Sequence, residues 1–283
     1  MLPRYLSQVK ELVKDKMLKS ISNNNKIEEA MAYSALADSK MIRAGLVFAS
    51  SETNKNISKE SIITLSSAVE IMHTYSLIHD DLPCMDDDNL RRNQPSNHIK
   101  YGEANAVLAG DALQALAYEI IVNDNFLSSD DKVNAINLLS KACGKNGMVF
   151  GQYLDIENEN NQNIDIKKLD DIHNLKTGKL IECAVMLGQI GSSLESESLN
   201  ALRDFSSKIG LAFQIKDDIL DVTQVESILG KNKNSDAKNN KLTYMNIIGL
   251  GEAKLKANKL TDSALNSLNQ SNITNIDKLI EMA

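Results

Sequence analysis

The sequence predicts an all-α protein built as a bundle of long helices. Apolar residues recur at steps of three and four, and period-two alternation bounded by turn residues is rare. Only three prolines, Pro3, Pro83 and Pro95, stand among 283 residues, so long helices run uninterrupted. Two of the three fall within or just after an aspartate-rich stretch, where regular helix is expected to break.

Taken in order, the N-terminal MLPRYLSQVKELVKDKMLKS carries Glu11 and Asp15 and has no continuous apolar core, unlike a signal peptide. Ile62, Leu65, Val69, Met72 and Ser76 mark a helix that leads into the aspartates. Leu108, Ala112, Ala115, Glu119 and Val122 mark a second. Leu199, Leu202, Phe205, Ile209 and Phe213 mark a third, running into FQIKDDILD. Polar, Asn-rich breaks are expected at 22–25, 50–56, 90–97, 157–163 and 231–240. No tandem repeat of fixed period is present.

Composition narrows the function. A net charge of −7 argues against nucleic-acid partners, which need basic patches. It does not exclude an anionic small substrate, since local cations dominate a pocket. Cys84, Cys143 and Cys183 are scattered and odd in number, which suits reduced thiols in a cytoplasmic protein. The most apolar run, ANAVLAGDALQALAYEIIV, is broken by Asn105, Asp111, Gln114 and Glu119, so no membrane span is expected. Aromatics make up 4% and Trp is absent, so the core is aliphatic.

Chemistry concentrates in two acidic clusters. HDDLPCMDDDNLRR (79–92) places five aspartates in nine positions, with Arg91 and Arg92 close behind. In FQIKDDILD, Asp217 and Asp221 stand four apart and share a helix face, where like charges are unfavourable unless a cation intervenes. A solvated acidic face is the plain alternative, weakened by Phe213, Ile215, Ile219 and Leu220 alongside. Asp80 and Asp86, six apart, do not share a regular helix face, and Pro83 offers a break that re-aims the later carboxylate. Carboxylates on facing helices hold metals in bundle cores, and an oxygen-only donor set points to Mg²⁺ rather than zinc. An EF-hand is the rival, but the alternating ligands, central Gly and final Glu are missing.

Together these two stretches resemble the aspartate-rich motifs of the trans-isoprenyl diphosphate synthases, the first in the DDxxxxD form of the bacterial farnesyl diphosphate synthases. YGEANAVLAGDALQALA (101–117), GQYLDIE (151–157) and HNLKTGKLIECAV (173–185) resemble the same family in the expected order. The resemblance implies one isoprenoid synthase-like domain over residues 1–283, with helices around a central active-site cavity. It also implies a homodimer and a cofactor of Mg²⁺, three ions with substrate bound. Asp80, Asp86 and Asp217 match metal ligands, and Asp81 and Asp221 match supporting carboxylates. Lys40, Arg43, His73 and Arg92 match the isopentenyl diphosphate site. Arg91, Lys176, Thr177, Gln214, Lys231 and Lys241 match groups that hold the allylic diphosphate.

Members of that family ionise an allylic diphosphate, and the alkene of isopentenyl diphosphate attacks the resulting cation. No side-chain nucleophile is required, and none is apparent. Metal and cationic side chains stabilise the leaving pyrophosphate, while an aliphatic bundle keeps the carbocation dry. Taken singly, Lys176 in LKTGKL also reads as a helix-end lysine, and His73 as a core histidine. His73 lies seven residues before Asp80, on nearly the same face. Tyr75 and Ser76, about one turn deeper than Asp80, match positions that influence product length, and a bulky Tyr75 fits a C15 product.

Several positions depart from the family pattern. Its GGKRLRP segment reads DSKMIRA at 38–44, keeping Lys40 and Arg43 but exchanging both glycines for Asp38 and Ser39. Glycine lets backbone approach a phosphate closely, and Asp38 is expected to repel a diphosphate. The second basic segment, GKNKNSDAKNNKLTYM, replaces two glycines by Asn234 and Asn240 and a usual proline by Met245. NIDKLIEMA stops before the helical residues and basic groups with which the family usually ends. A class I terpene synthase is the nearest rival, although its second motif usually mixes Asn, Ser and Glu. A non-catalytic subunit that tunes an active synthase is the other rival; such proteins tend to lose an aspartate motif.

Overall fold

The protein, as a computed structural model, is described for residues 2–159, 164–223 and 243–283. Fourteen α-helices, a π-helical turn and one very short hairpin make up the described residues. Helix α1 (Leu2–Ile21) buries Val9, Val13, Met17 and Ile21, a stripe at helical spacing. The break at 22–25 ends on Asn25, whose side chain accepts from the Ile27 and Glu28 N–H groups and so caps α2 (Lys26–Ala35). Helix α3 (Ile42–Ser51) follows a Met41 in the left-handed region.

Helix α4 (Lys59–Asp80) is capped by Ser58 and is almost wholly buried through its middle turns. It ends at Asp80, before Pro83, so the proline lies in the turn beyond the helix rather than within a kink. That turn is closed by the Asp86 N–H donating to the Asp80 carbonyl (2.9 Å) and the Asp87 N–H donating to Leu82 (3.1 Å). The break expected at 90–97 contains a minimal antiparallel ladder, β1 (Leu90–Arg91) with β2 (Gln94–Pro95). Arg92 and Asn93 between them both have positive φ (54° and 62°), the conformation that matches a two-residue hairpin to strand twist. This small sheet is the one departure from an all-helical chain among the described residues.

After α5 (Asn97–Tyr101), helix α6 (Glu103–Val122) packs along α4. Its length and hydropathy match a membrane span, but Ala106, Ala109, Gly110, Leu113, Leu116, Ala117, Ile120 and Ile121 are buried in the bundle. The apolar stripe read from the sequence lies on the other face, where Leu108 and Val122 are exposed. Spacing alone does not choose between faces when both are apolar.

Helices α7 (Ser129–Cys143), α8 (Met148–Glu157) and α9 (Ile166–His173) lead to a π-helical turn, Asn174–Gly178, which runs directly into α10 (Lys179–Leu187). Helix α10 bridges α3, α7 and the long α11 (Ser196–Thr223). In α11, Leu202, Phe205 and Ile209 of the predicted stripe are buried. Beyond α12 (Tyr244–Ile247), helix α13 (Gly249–Asn269) lies along α11, and α14 (Asp277–Met282) returns to α3.

Close backbone approach fixes the π turn against α8. A Cβ built on Gly151 would stand 2.2 Å from the Lys176 backbone nitrogen, so only glycine fits without movement. Overpacking typically costs ~1–3 kcal/mol, and here it outweighs the ~1 kcal/mol by which Ala favours a helix over Gly. Gly151→Ala is therefore expected to lower the urea midpoint, with little change in the slope of the transition.

Candidate active site

A cavity of about 750 Å³ opens between α3, α4, α8, the π turn and α11. Its lining brings together Lys40, Arg43, His73, Tyr75, Ser76, Asp80, Asp86, Arg91, Arg92, Lys176, Thr177, Gln214 and Asp217. These come from segments far apart in sequence, yet they share one wall-to-wall space. Asp81 and Asp221 do not line it, although both are buried. Lys231 and Lys241 lie outside the described residues.

One rim is held by a cation among carboxylates. Lys176 Nζ donates to Asp155 Oδ2 at 2.7 Å and stands 3.9 Å from Asp80 Oδ1. Gln152 Nε2 donates to the same Asp80 oxygen at 2.5 Å. Burial works against the Lys176 charge, but Asp80, Asp155 and Asp86 outweigh it and push its pKa up. Lys176 is therefore a fixed ammonium, and the solvated-lysine alternative does not hold. Gln152 and Asp155 lie within GQYLDIE, but nothing in that stretch alone assigns either a role. Only the tertiary contact reveals their position.

Asp81 is turned behind this rim. Arg91 Nε donates to Asp81 Oδ1 at 2.9 Å, and its Nη2 lies 3.3 Å from Asp88 Oδ2. Burial raises the Asp81 pKa to about 6 despite the guanidinium beside it. Asp88 thus has a structural partner in Arg91, while Asp87 is exposed with φ of 51°.

The second acidic motif divides differently from its sequence reading. Asp217 and Asp218 both line the cavity, and Asp218 is also an anchor: it accepts from Gln214 Nε2 (3.0 Å) and from the Tyr244 N–H (3.1 Å). Gln214 in turn accepts the Thr177 hydroxyl at 2.9 Å, tying α11 to the π turn.

The opposite wall is cationic. Arg43 and Arg92 have pKa values lowered by burial, with Glu70 as the main opposing charge. Glu70 also accepts the Ala44 N–H at 2.9 Å, which satisfies one free donor of the first turn of α3. Its role was not visible in sequence, where it is one polar residue within an apolar run. Arg92 Nη1 donates to the Ser34 carbonyl at 3.2 Å. The expected repulsion from Asp38 is not realised: Asp38 pairs with Lys10 of α1, is exposed, and does not line the cavity.

Toward the deep end, Tyr75 is buried, with its ring edge-on to His79 at 5.4 Å. His79 in turn meets the Val107 carbonyl at 3.0 Å, in space left by the missing side chain of Gly110. Ser76 donates to the His73 carbonyl at 2.8 Å.

Among the described residues no three carboxylate, His or Cys groups converge into a ready-made metal site. Asp80, Asp86 and Asp217 nevertheless all line one cavity and offer oxygen donors to it. That donor set fits Mg²⁺, which commonly takes one or two carboxylates and completes its shell with substrate phosphate.

A cavity lined by carboxylates, cationic side chains and apolar residues such as Met148, Val149 and Phe213 defines a class of helical-bundle protein suited to molecules with an anionic head and a hydrocarbon tail. The polyprenyl synthetase family matches residues 24–283. The farnesyl diphosphate synthase of Escherichia coli K12 is 43% identical over 250 residues, covering 87% of this chain and 83% of that protein. An apo FPP/GFPP synthase from Zymomonas mobilis superposes with a TM-score of 0.88 at 32% identity, covering 99% of this chain and 96% of that one. The geranyltransferase of Helicobacter pylori, solved with magnesium and isoprenyl diphosphate, superposes at 0.85 and 33% identity, covering 98% and 96%. This chain belongs to the polyprenyl synthetase family and is a prenyl transferase.

His73 yields a pH test. Burial, then Arg43, Arg92 and Arg91, hold its pKa well below 6.5, so the imidazole is neutral near pH 7. Below pH 6.5 the unfolded chain binds a proton that the folded chain refuses, so stability is present above 6.5 and falls as pH drops toward the folded value. His73→Asn is expected to flatten the decline in melting temperature between pH 6.5 and 5, measured against the wild-type profile.

Proposed function

We propose that this chain condenses isopentenyl diphosphate with C5 and C10 allylic diphosphates to form farnesyl diphosphate. The observation that carries this reading is the joining of Asp80, Asp86 and Asp217 with Arg43, Arg92 and Tyr75 in the lining of one cavity. In this reading residues 1–283 form one domain.

Asp80, Asp86 and Asp217 would hold Mg²⁺, with Asp81 and Asp221 as supporting carboxylates behind them. When bound, Mg²⁺ (three ions with substrate) offsets the charge that develops on the departing diphosphate. Lys176, Thr177 and Gln214 hold the allylic diphosphate, with Arg91 steadied by Asp81 and Asp88. Lys231 and Lys241 join this set on resemblance alone. Lys40, Arg43, neutral His73 and Arg92 hold isopentenyl diphosphate. The allylic C–O bond breaks, and the alkene of isopentenyl diphosphate forms the new C–C bond with the cation. The departing pyrophosphate takes the proton that restores the double bond. Fixed donors such as Lys176 need no reorganisation at that moment, which is where their contribution is greatest.

We read the protein as a cytoplasmic homodimer. The three free cysteines suit a reducing compartment. Val107, Leu108 and Val122 on α6, with Phe126 and Val133 beyond it, are exposed apolar residues that a second copy would cover in this reading. A geranyl or geranylgeranyl product is the alternative of the same class, and a non-catalytic regulatory subunit is the alternative of another. The intact carboxylates of both acidic motifs favour an enzyme over the latter.

Purified protein with isopentenyl diphosphate, Mg²⁺ and C5, C10 or C15 allylic diphosphates is expected to yield a C15 product. No condensation by the folded protein under any pairing would overturn the reading. Asp80→Ala and Asp217→Ala should each remove turnover while the far-ultraviolet dichroism stays helical; activity surviving in both would refute the carboxylate roles. Tyr75→Ala should shift the product beyond C15, as sized by chromatography, and an unchanged profile would exclude Tyr75 as the floor.

A further inference from the structure

The altered segment at 38–44 contains a feature that loss of glycine does not account for. Ser39 Oγ and Arg43 Nε are both buried without a hydrogen-bond partner, and both residues line the same cavity wall. Buried polar atoms in folded proteins nearly always have partners, and leaving one unmet costs ~1–3 kcal/mol. Two such atoms on one wall indicate a group that arrives from the cavity.

The chemistry of that group follows from its neighbours. Arg43 is donor-only, so whatever meets it must accept. Lys40 and Arg92 line the same wall, adding positive charge to it. Of the nearby carboxylates, Glu70 is the main charge opposing Arg43 and accepts the Ala44 N–H, while Asp38 is turned outward to Lys10. A hydroxyl beside these cations is therefore set to donate to an anion's oxygen.

Backbone geometry supports the same conclusion. Met41, between Ser39 and Arg43, has φ of 47° and ψ of 49°. The left-handed region costs a residue with a side chain ~1–2 kcal/mol, and such strain gathers at ligand-holding sites. Here it turns the chain so that residues 39 to 43 all line the cavity.

We infer that the Ser39 hydroxyl donates a hydrogen bond to the diphosphate of isopentenyl diphosphate, alongside Arg43, as a binding residue this chain has acquired in place of a close-approaching glycine. The inference rests on the proposed function for the identity of the ligand. A hydrogen bond to a charged oxygen is stronger than a neutral one, and a hydroxyl reaches a phosphate that backbone carrying a side chain cannot approach as closely.

The test compares the full-length wild type with Ser39→Ala and Ser39→Thr. At saturating geranyl diphosphate and Mg²⁺, Ser39→Ala should raise the KM for isopentenyl diphosphate about tenfold. Its kcat and its KM for geranyl diphosphate should stay within about twofold, because Arg91 and Lys176 are untouched. Ser39→Thr keeps the hydroxyl and should stay close to wild type. An unchanged KM for isopentenyl diphosphate in Ser39→Ala, or an equal rise for both substrates, would overturn the inference. Calorimetric titration with isopentenyl diphosphate separates this from failure of the proposed function. If the wild type binds but does not condense, weaker binding by Ser39→Ala still supports the hydroxyl's role. Equal binding by the two proteins, or none by the wild type, overturns it.

Discussion

Lys176 is partly buried beside Asp155 and Asp80, and the rest of the cavity is arranged around that placement. A partly buried ammonium is favoured by opposite charge at contact distance, which Asp155 supplies directly and Asp80 from slightly farther away. The contact requires α8 and the π turn to touch backbone to backbone, and Gly151 permits it. Once made, it fixes the end of α4 as well, because Gln152 and Lys176 both engage Asp80. Three elements thus meet on one charge, and the carboxylate rim is held in place before any ligand arrives.

The opposite wall has the reverse problem. Arg43 and Arg92 lie in surroundings that disfavour their charge, and Glu70 is the chief group offsetting it. Arg91, by contrast, is bound to Asp81 and Asp88. The two arginines that follow one another in sequence therefore serve different ends. One is paired with Asp81 and Asp88 and the other donates to the Ser34 carbonyl, while both line the cavity. A wall whose cations are only partly neutralised is preorganised for an anion, and binding one relieves the cost of burying them.

Helix α6 illustrates how position and pattern part company. Both of its faces are apolar, one packed on α4 and one exposed. A helix of this kind is either a membrane span or a core element with a second surface to cover, and its burial within the bundle decides for the latter. The small residues on the buried face, Ala106, Ala109 and Gly110, bring α6 close enough for the Val107 carbonyl to hold His79. His79 then packs on Tyr75, so a surface-forming helix also shapes the deep end of the cavity.

Much of this was legible in the sequence by itself. Helical spacing, the scarcity of proline and the Asn-rich breaks determine an all-helical chain, because each is a local property of the backbone. The ordered motifs determine the family and select most of the cavity lining, since chemistry restricts which residue types recur at those spacings. What only tertiary structure decided is pairing and direction. Asp80 and Asp81 are adjacent in sequence, but the end of α4 sends one to the cavity and the other to Arg91. Asp217 and Asp218 both line the cavity, but Asp218 is the one that accepts the Tyr244 N–H. Gln152, Asp155 and Glu70 gain their places from neighbours distant in the chain, and Asp38 is disarmed by a lysine 28 positions away. A sequence pattern specifies which groups are present, but electrostatic and hydrogen-bond partners depend on distances across helices, and those are set only when the bundle packs.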